Sequence, residues 1–178
     1  MKDVMLDFET LGNGKNAAVV QIGACYFDRH TGEIGKTFDV RITLESAVAS
    51  GADMDASTVW WWLDQSLEAR TAVFKGPAVD IRDAFTALNN FLNHASAIWS
   101  HATFDFVILS ETMKRLNIRP SFKYSVARDI RTLQDLARPS KEELSELKRE
   151  GTHHDALSDC LFQVKYCVLS FNKLAVIK

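Results

Sequence analysis

The amino-acid sequence predicts an α/β fold with a mixed β-sheet, an antiparallel meander followed by parallel strands, flanked by helices. Two observations carry this prediction. β-rich runs follow one another through the first 42 residues, and short apolar runs then alternate with segments of helical periodicity. The 178 residues are 47% hydrophobic and 25% charged, which suits one globular core, so we expect a single domain over residues 1–178.

Three strands are predicted at the start of the chain. In residues 4–9, Val4, Leu6 and Phe8 alternate with the other side chains, the period of two that places one set on each face of a strand. Residues 17–27 and 34–42 are two further β-rich runs, and the turn-rich residues 28–33 between them indicate a hairpin. This order predicts the antiparallel meander.

Helices and strands alternate in the rest of the chain. Asp55 or Ser57 can cap a helix that runs through residue 67, and a second helix follows Pro77. A third helix begins near Phe104 and stops before Pro120. Strands are expected at residues 95–100 and 124–130, and helices at 132–137 and 155–172. The charged residues 141–150 indicate a solvated helix or loop.

Composition and charge narrow the classes of function. The net charge of -2 argues against a broad grip on duplex nucleic acid, although a site that holds a few terminal nucleotides through metal ions needs no basic surface. No apolar run reaches the roughly 20 residues of a membrane span and no signal peptide begins the chain, so we expect a cytoplasmic protein without a membrane partner. The three cysteines, in apolar stretches, indicate neither disulfides nor a zinc site.

Four carboxylates stand at predicted element boundaries. Asp7 and Glu9 leave one face of the first strand about 6.6 to 6.8 Å apart along the chain, close enough to share an ion. Asp105 falls in the first turn of a helix that follows a short strand, where α/β proteins commonly assemble their sites. Each of these groups also has a plain structural explanation, a solvated strand face or a charge that complements the helix dipole.

The fourth carboxylate, Asp159, lies in the second turn of the last helix, near its apolar seam, and therefore needs a partner. His154 can meet Asp159 only if it precedes the helix proper, because five helical residues rotate a side chain by about 140°. Gly151 just upstream fits that requirement. Asp155 is a competing ligand, but helix capping explains it more simply.

Taken together, these residues resemble the three ordered motifs of the DEDDh exonucleases, a DnaQ-like branch of the ribonuclease H-like fold. The motifs are residues 7–10 (Asp-Phe-Glu-Thr), Phe104 with Asp105, and His154 with Asp159. Similarity extends to residues 20–24, to Trp60-Trp61-Trp62 and to residues 128–133, and looks strongest toward phage and prophage exodeoxyribonucleases and related bacterial exoribonucleases.

The resemblance implies a 3′-5′ exonuclease that releases nucleoside 5′-monophosphates from single-stranded nucleic acid with two Mg²⁺ or Mn²⁺ ions. Asp7 would bridge both ions, Glu9 and Asp159 would complete one site, and Asp105 would support the other. His154, with an ordinary pKa of about 6.5, would act as general base. Partners would be the 3′ end of single-stranded DNA or RNA, with DNA slightly favoured, and a second copy of the chain, since dimers are common among relatives.

Substrate contacts are expected beside the first motif. By resemblance, Thr10 and Leu11 approach the terminal sugar and base. Trp62 has core spacing, whereas Trp61 or Trp60 is free to stack on a base, and Phe104 either wedges against a base or packs beneath the site. The residue His101 varies among relatives and is expected to touch no catalytic group.

Other functions stay open at the level of sequence. They are an exoribonuclease, a ribonuclease H-like endonuclease or integrase, and a catalytically silent nucleic-acid-binding module on the same fold. The charged residues 141–150 and Gly151 also suggest a lid that admits His154 when substrate binds, a hypothesis that protease protection of this segment by Mg²⁺ and oligonucleotide would test.

Overall fold

A computed structural model describes residues 1–176 of the chain. The strands are β1 (Asp3–Thr10), β2 (Val19–Phe27), β3 (Ile34–Arg41), β4 (Ala97–Ser100) and β5 (Ala127–Asp129). The helices are α1 (Leu44–Ala49), α2 (Ala56–Leu63), α3 (Leu67–Phe74), α4 (Ile81–Phe91), α5 (Asp105–Arg115), α6 (Ile130–Ala137), α7 (Lys141–Ser145) and α8 (Ala156–Val176).

The five strands form one mixed sheet in the order β3-β2-β1-β4-β5. The first three strands pair antiparallel, whereas β4 pairs parallel with β1 and β5 pairs parallel with β4. The predicted mixed sheet flanked by helices is therefore confirmed. Because β1, β4 and β5 run the same way, their carboxyl ends meet at one edge of the sheet.

Each face of the sheet has its own hydrophobic core, since successive side chains of β1 point to opposite faces. Val4, Leu6 and Phe8 belong to the larger core, together with the buried face of α4 and α5. Met5 belongs to the smaller core, which α6 and α8 cover. Asp7 and Glu9 continue the Met5 face and therefore point toward the side of α8.

Glycine at position 23 sets how closely α8 approaches the sheet. Gly23 on β2 lies opposite Asp7 on β1, and a Cβ atom at Gly23 would lie 2.2 Å from the carbonyl carbon of Ala156. The thiol of Cys160 donates to the carbonyl oxygen of Gly23 at 3.2 Å. The first two turns of α8 can therefore rest on the strand backbone only because position 23 has no side chain.

Two local expectations were wrong, and one helix was not predicted. The helix predicted to run through residue 67 ends at Leu63, and α3 begins separately because the Ser66 hydroxyl caps it, accepting from the amide of Ala69 at 3.2 Å. Helix α1 was not predicted. Most of residues 124–130 is not strand, since Tyr124–Val126 form a 3₁₀ turn and β5 has only three residues.

Cys25, Cys160 and Cys167 are all free thiols, buried between the sheet and α8. Within residues 1–176, no helix is both long enough and apolar enough to cross a membrane.

Candidate active site

A cleft of about 670 Å³ opens at the edge where β1 and β4 end. The four predicted carboxylates and His154 all line it, although they are up to 152 residues apart in sequence. The members of this site are Asp7, Glu9, Asp105, His154 and Asp159.

Asp7 lies at the centre of the cleft floor. Its side chain is buried, and Oδ1 accepts a hydrogen bond from the Nε2 atom of Gln163 on α8 at 2.8 Å. Burial raises the pKa of Asp7 well above its ordinary value, and the nearby charges of Asp105, Glu9 and Asp159 raise it further. An ionised Asp7 is therefore costly unless a cation lies beside it.

Glu9 is also buried, with 8% of its surface exposed. Burial raises the pKa of Glu9 to about 8, followed in size by the charges of Asp159 and Asp105. No hydrogen bond from another described residue reaches its carboxylate, so its oxygens are free to bind a ligand from the cleft.

Asp105 is held by backbone amides rather than by side chains. Its Oδ1 accepts from the amide of Phe8 at 3.2 Å and its Oδ2 from the amide of His101 at 3.0 Å, which ties α5 to both β1 and the end of β4. Burial still raises its pKa to about 7, because desolvation outweighs these two hydrogen bonds.

His101 lies closer to the catalytic carboxylates than expected. It was expected to touch no catalytic group, yet its amide binds Asp105, and a ring nitrogen lies within 4.8 Å of oxygens of Asp7 and Asp105. Burial, followed by the charge of Arg131, lowers the pKa of its imidazole. His101 is therefore a neutral wall of the cleft beside two carboxylates.

His154 precedes α8, as its predicted role requires. Its φ of 61° is a left-handed conformation, which turns the ring back over the cleft beside Asp159. The ring stacks on His153 at 3.8 Å and meets Trp61 edge-on at 4.8 Å between ring centroids. Burial and the charge of His153 lower the pKa of His154, so its ring is neutral at pH 7.

Asp155 has the capping role expected of it. Its Oδ1 accepts from the amide of Ser158 at 3.0 Å and from the Ser158 hydroxyl at 2.7 Å, and its Oδ2 accepts from Nε2 of Gln21 at 2.9 Å. The carboxylate is fully engaged at the start of α8, which leaves Asp159 as the carboxylate that faces the cleft from this helix.

The donor set fits divalent metal ions. Asp7, Glu9 and Asp159 offer oxygens within 4.8 Å of one another, and Asp7 offers an oxygen to a second group with Asp105. Hard ions such as Mg²⁺ and Mn²⁺ prefer carboxylate oxygens. Their positive charge would offset the burial and the mutual repulsion that raise the pKa values of Asp7 and Glu9.

A second cleft of about 410 Å³ adjoins the first. Among its lining residues are Glu9, Thr10, Trp61 and Phe104, so three of the four predicted substrate contacts lie on its wall. The fourth, Leu11, does not: it is buried in the larger hydrophobic core at 6% exposure. The contact of Leu11 with substrate stays a prediction.

The three consecutive tryptophans, residues 60–62, have different environments. Trp62 is buried, as expected from its spacing, and its indole Nε1 donates to the carbonyl oxygen of Thr10 at 2.9 Å. Trp61 is 43% exposed and lines both clefts, whereas Trp60 is 68% exposed and lines neither. Only Trp61 is therefore both exposed and next to the carboxylates.

Two further cleft residues were missed by the sequence reasoning. Gln163 donates to Asp7, and Arg149 pairs its Nη1 with Oδ1 of Asp159. Gln163 lies four residues after Asp159 and shares its helix face, a signal that was available in the sequence. Nothing in the charged run around Arg149 distinguishes it from its neighbours.

The chain was compared with known protein families. A family model described as the 3′-5′ exoribonuclease Rv2179c-like domain matches residues 2–171, nearly the whole chain. The chain belongs to this family. It is therefore a 3′-5′ exonuclease of the DnaQ-like kind, a class that acts on nucleic acid and depends on divalent metal ions.

Individual relatives agree with this assignment. An exodeoxyribonuclease of Enterobacteria phage T4 is 28% identical, and the match covers 94% of this chain and 89% of that protein. Among solved structures, apo Exonuclease I superposes with a TM-score of 0.65 at 15% identity over 94% of this chain, which spans only 41% of that protein. A 3′-exonuclease that recognises a histone mRNA stem-loop superposes with a TM-score of 0.59 at 10% identity, covering 96% and 81% of the two chains. These structures share the fold.

Proposed function

We propose that the chain removes nucleotides one at a time from the 3′ end of single-stranded nucleic acid, as nucleoside 5′-monophosphates, with two divalent ions. The observation that carries the proposal is the convergence of four carboxylates and a neutral histidine on one open cleft. Family membership supports the 3′ polarity.

In this proposal the carboxylates hold the ions. Asp7 would contact both, Glu9 and Asp159 would complete the first site, and Asp105 would support the second. When bound, the ions stabilise negative charge on the attacking and leaving oxygens of an in-line displacement at phosphorus. Gln163 fixes the orientation of Asp7, since its amide donates to Oδ1 and leaves Oδ2 for ligands.

His154 would accept the proton of the attacking water. Its ring is neutral at pH 7 and lies beside Asp159, so an unprotonated ring nitrogen is present where the water would be activated. Trp61 packs edge-on against this ring and limits its rotation. The protonated imidazole would then be stabilised by the nearby carboxylate of Asp159.

The second cleft would take the terminal nucleotide. It begins at Glu9 and is walled by Trp61 and Phe104, which offer aromatic faces for a base, while Thr10 lies at its base.

A labelled oligonucleotide tests the proposed reaction. A single strand carrying a 5′ label, incubated with Mg²⁺ or Mn²⁺, should shorten in steps of one nucleotide. Asp7→Ala should remove this activity while keeping the fold. Internal cuts would instead indicate a ribonuclease H-like endonuclease, and retention without cleavage would indicate a silent nucleic-acid-binding module.

The proposal also includes a choice between DNA and RNA as the preferred substrate. The phage T4 relative is an exodeoxyribonuclease, and its match covers most of both chains, so we propose DNA as the preferred substrate. The exoribonuclease description of the family favours RNA as the alternative. Matched DNA and RNA oligonucleotides, compared by kcat/KM, separate the two, and a higher kcat/KM on RNA would overturn our choice.

A further inference from the structure

Asp159 is the one carboxylate of the site that already has a cationic partner. Among the described residues, the ion pairs that involve Asp7, Glu9, Asp105 or Asp159 reduce to a single contact, from Arg149 Nη1 to Asp159 Oδ1. Arg149 lies ten residues before Asp159, outside α8, and lines the same cleft. A positive charge of the chain therefore stands beside an expected metal ligand.

Arg149 is held in place by contacts on either side of it. The Nζ atom of Lys165, on α8, donates to the carbonyl oxygen of Lys148 at 2.7 Å and to Oε1 of Glu150 at 2.8 Å. The guanidinium of Arg149 lies 4.2 Å from the ring centroid of Phe162. Lys165 thus links both neighbours of Arg149 to α8, and Phe162 covers one face of its guanidinium.

The present partner of Arg149 conflicts with the proposed metal site. Asp159 offers an oxygen to a site with Asp7 and Glu9, and a guanidinium hydrogen-bonded to that same carboxylate competes with a divalent cation for it. Two cations at one carboxylate also repel each other. Binding of the metal should therefore release Arg149 from Asp159.

A released guanidinium in this cleft has an obvious acceptor. A phosphodiester that enters meets four carboxylates, and apart from histidines only Arg131 and Arg149 bring positive charge among the described lining residues. Arginine binds phosphate oxygens through paired N–H groups, a geometry that lysine cannot match. The Phe162 ring leaves the guanidinium edge free for such contacts.

We propose that Arg149 exchanges partners during the reaction cycle: it neutralises Asp159 in the empty site and binds a substrate phosphate once metal and nucleic acid are present. This inference rests on the exonuclease function proposed above. Arg149 is then a substrate-binding residue, and Lys165 is a positioning residue that acts through it. The exchange reduces the electrostatic repulsion among the carboxylates of the empty site. Because Arg149 leaves Asp159 when metal and nucleic acid bind, it does not compete with the metal for that carboxylate.

The exchange makes a prediction of opposite sign for two ligands. In Arg149→Gln, Mn²⁺ alone, titrated by calorimetry without nucleic acid, should bind more tightly. Binding of a single-stranded oligonucleotide in Ca²⁺, followed by fluorescence anisotropy, should weaken by about tenfold, the size of one hydrogen bond to a charged group. KM should rise with little change in kcat.

Control variants separate this exchange from a structural role. Arg119→Gln removes the same charge from an exposed position that does not line the cleft, and should change neither affinity appreciably. Arg149→Lys keeps the charge and should fall between wild type and Arg149→Gln for the oligonucleotide. Should Arg149→Gln melt at a much lower temperature, Arg149→Lys carries the two titrations instead.

Two results would overturn the exchange. If Arg149→Gln weakens both Mn²⁺ and oligonucleotide binding, Arg149 only maintains the shape of the cleft; if it alters neither, the ion pair has no part in binding. The Mn²⁺ titration needs no nucleic acid, so its failure contradicts the exchange alone. A wild-type protein that does not shorten oligonucleotides would contradict the exonuclease function instead.

Discussion

The two sides of the cleft are built differently. On the sheet side, Asp7, Glu9 and Asp105 are at most 8% exposed, and backbone amides or the Gln163 side chain hold two of the three. On the other side, every residue of the segment 146–155 is exposed or partly buried, and two side-chain ion pairs connect the segment to α8. The carboxylates on the sheet side are thus held in fixed positions, whereas Arg149 and His154 lie on a loop whose side chains can change conformation.

The difference separates two requirements of the proposed reaction. Metal ligands must keep fixed positions, which a sheet and its amides provide. Proton transfer and phosphate binding must follow the substrate, which side chains on a loop can do. Substitutions on the fixed side should therefore have larger effects than substitutions on the adjustable side.

The largest effect is expected where α8 rests on the sheet. Gly23→Ala would place a Cβ atom 2.2 Å from the carbonyl carbon of Ala156, so α8 must move away and Asp159 with it. The free energy of unfolding should fall by about 3 kcal/mol, at the upper end for an overpacked core, and exonuclease activity should be lost. Urea denaturation measures the first effect. Gly14→Ala is the matched control, because no atom lies within 4 Å of its added Cβ; an equal loss there would contradict the explanation.

The second effect is a pH dependence of the metal-free protein. The pKa of Glu9 is about 8 in the folded chain, above its ordinary 4.5, so the unfolded chain loses this proton first as pH rises. As far as Glu9 is concerned, stability should therefore be greatest below pH 4.5 and should decline as the pH rises toward 8.

Divalent metal should cancel this decline, because it binds the ionised carboxylates. Melting temperatures with and without Mn²⁺ should therefore differ more at pH 8 than at pH 5. Glu9→Gln, which cannot ionise, should flatten the metal-free profile. An identical Mn²⁺ shift at both pH values would argue against the buried carboxylates as the metal site.

A smaller effect is expected where Trp61, on α2, packs against His154. Trp61 lines both clefts and packs against His154, so Trp61→Leu should reduce kcat/KM by about tenfold, or about 1.4 kcal/mol. Trp60→Leu is the control, since Trp60 is exposed and lines neither cleft. Equal losses in both variants would show that neither the cleft nor His154 depends on Trp61.

The smallest effect is expected for Lys165, which links the segment around Arg149 to α8. Lys165→Met removes the contacts to Lys148 and Glu150, and an ion pair to an exposed carboxylate contributes little to stability. We expect a two- to fivefold rise in KM and an unchanged melting temperature within about 2 °C. In wild type, KM should also rise with salt more steeply than in the variant. A variant with the wild-type KM would show that Arg149 needs no support from Lys165.

Much of the fixed side was predictable from sequence. The period of two in β1 placed Asp7 and Glu9 on one face, and the strand-to-helix transition placed Asp105 at the end of the sheet. The expected position of His154 before the last helix is confirmed, since α8 begins at Ala156. In each case a local pattern determines where the side chain points.

The adjustable side was less predictable, because its contacts join distant or featureless residues. The pairing of Arg149 with Asp159 depends on the path of a charged segment that has no periodicity. The burial of Leu11 in the larger core brings it together with residues distant in sequence, although Gly12-Asn13-Gly14 mark a turn directly after it. The close approach of α8 to Gly23 joins residues 133 positions apart, beyond the reach of any local pattern.

The three cysteines can report on the contact between α8 and the sheet. Cys25, Cys160 and Cys167 lie between the sheet and α8, and burial raises the pKa of Cys25 and Cys167 to about 12. Thiol reagents attack thiolates, so none of the three should react while α8 is seated. All three thiols of the sequence are therefore protected by the same contact between α8 and the sheet. Their rate of alkylation under native conditions should measure how often α8 separates from the sheet.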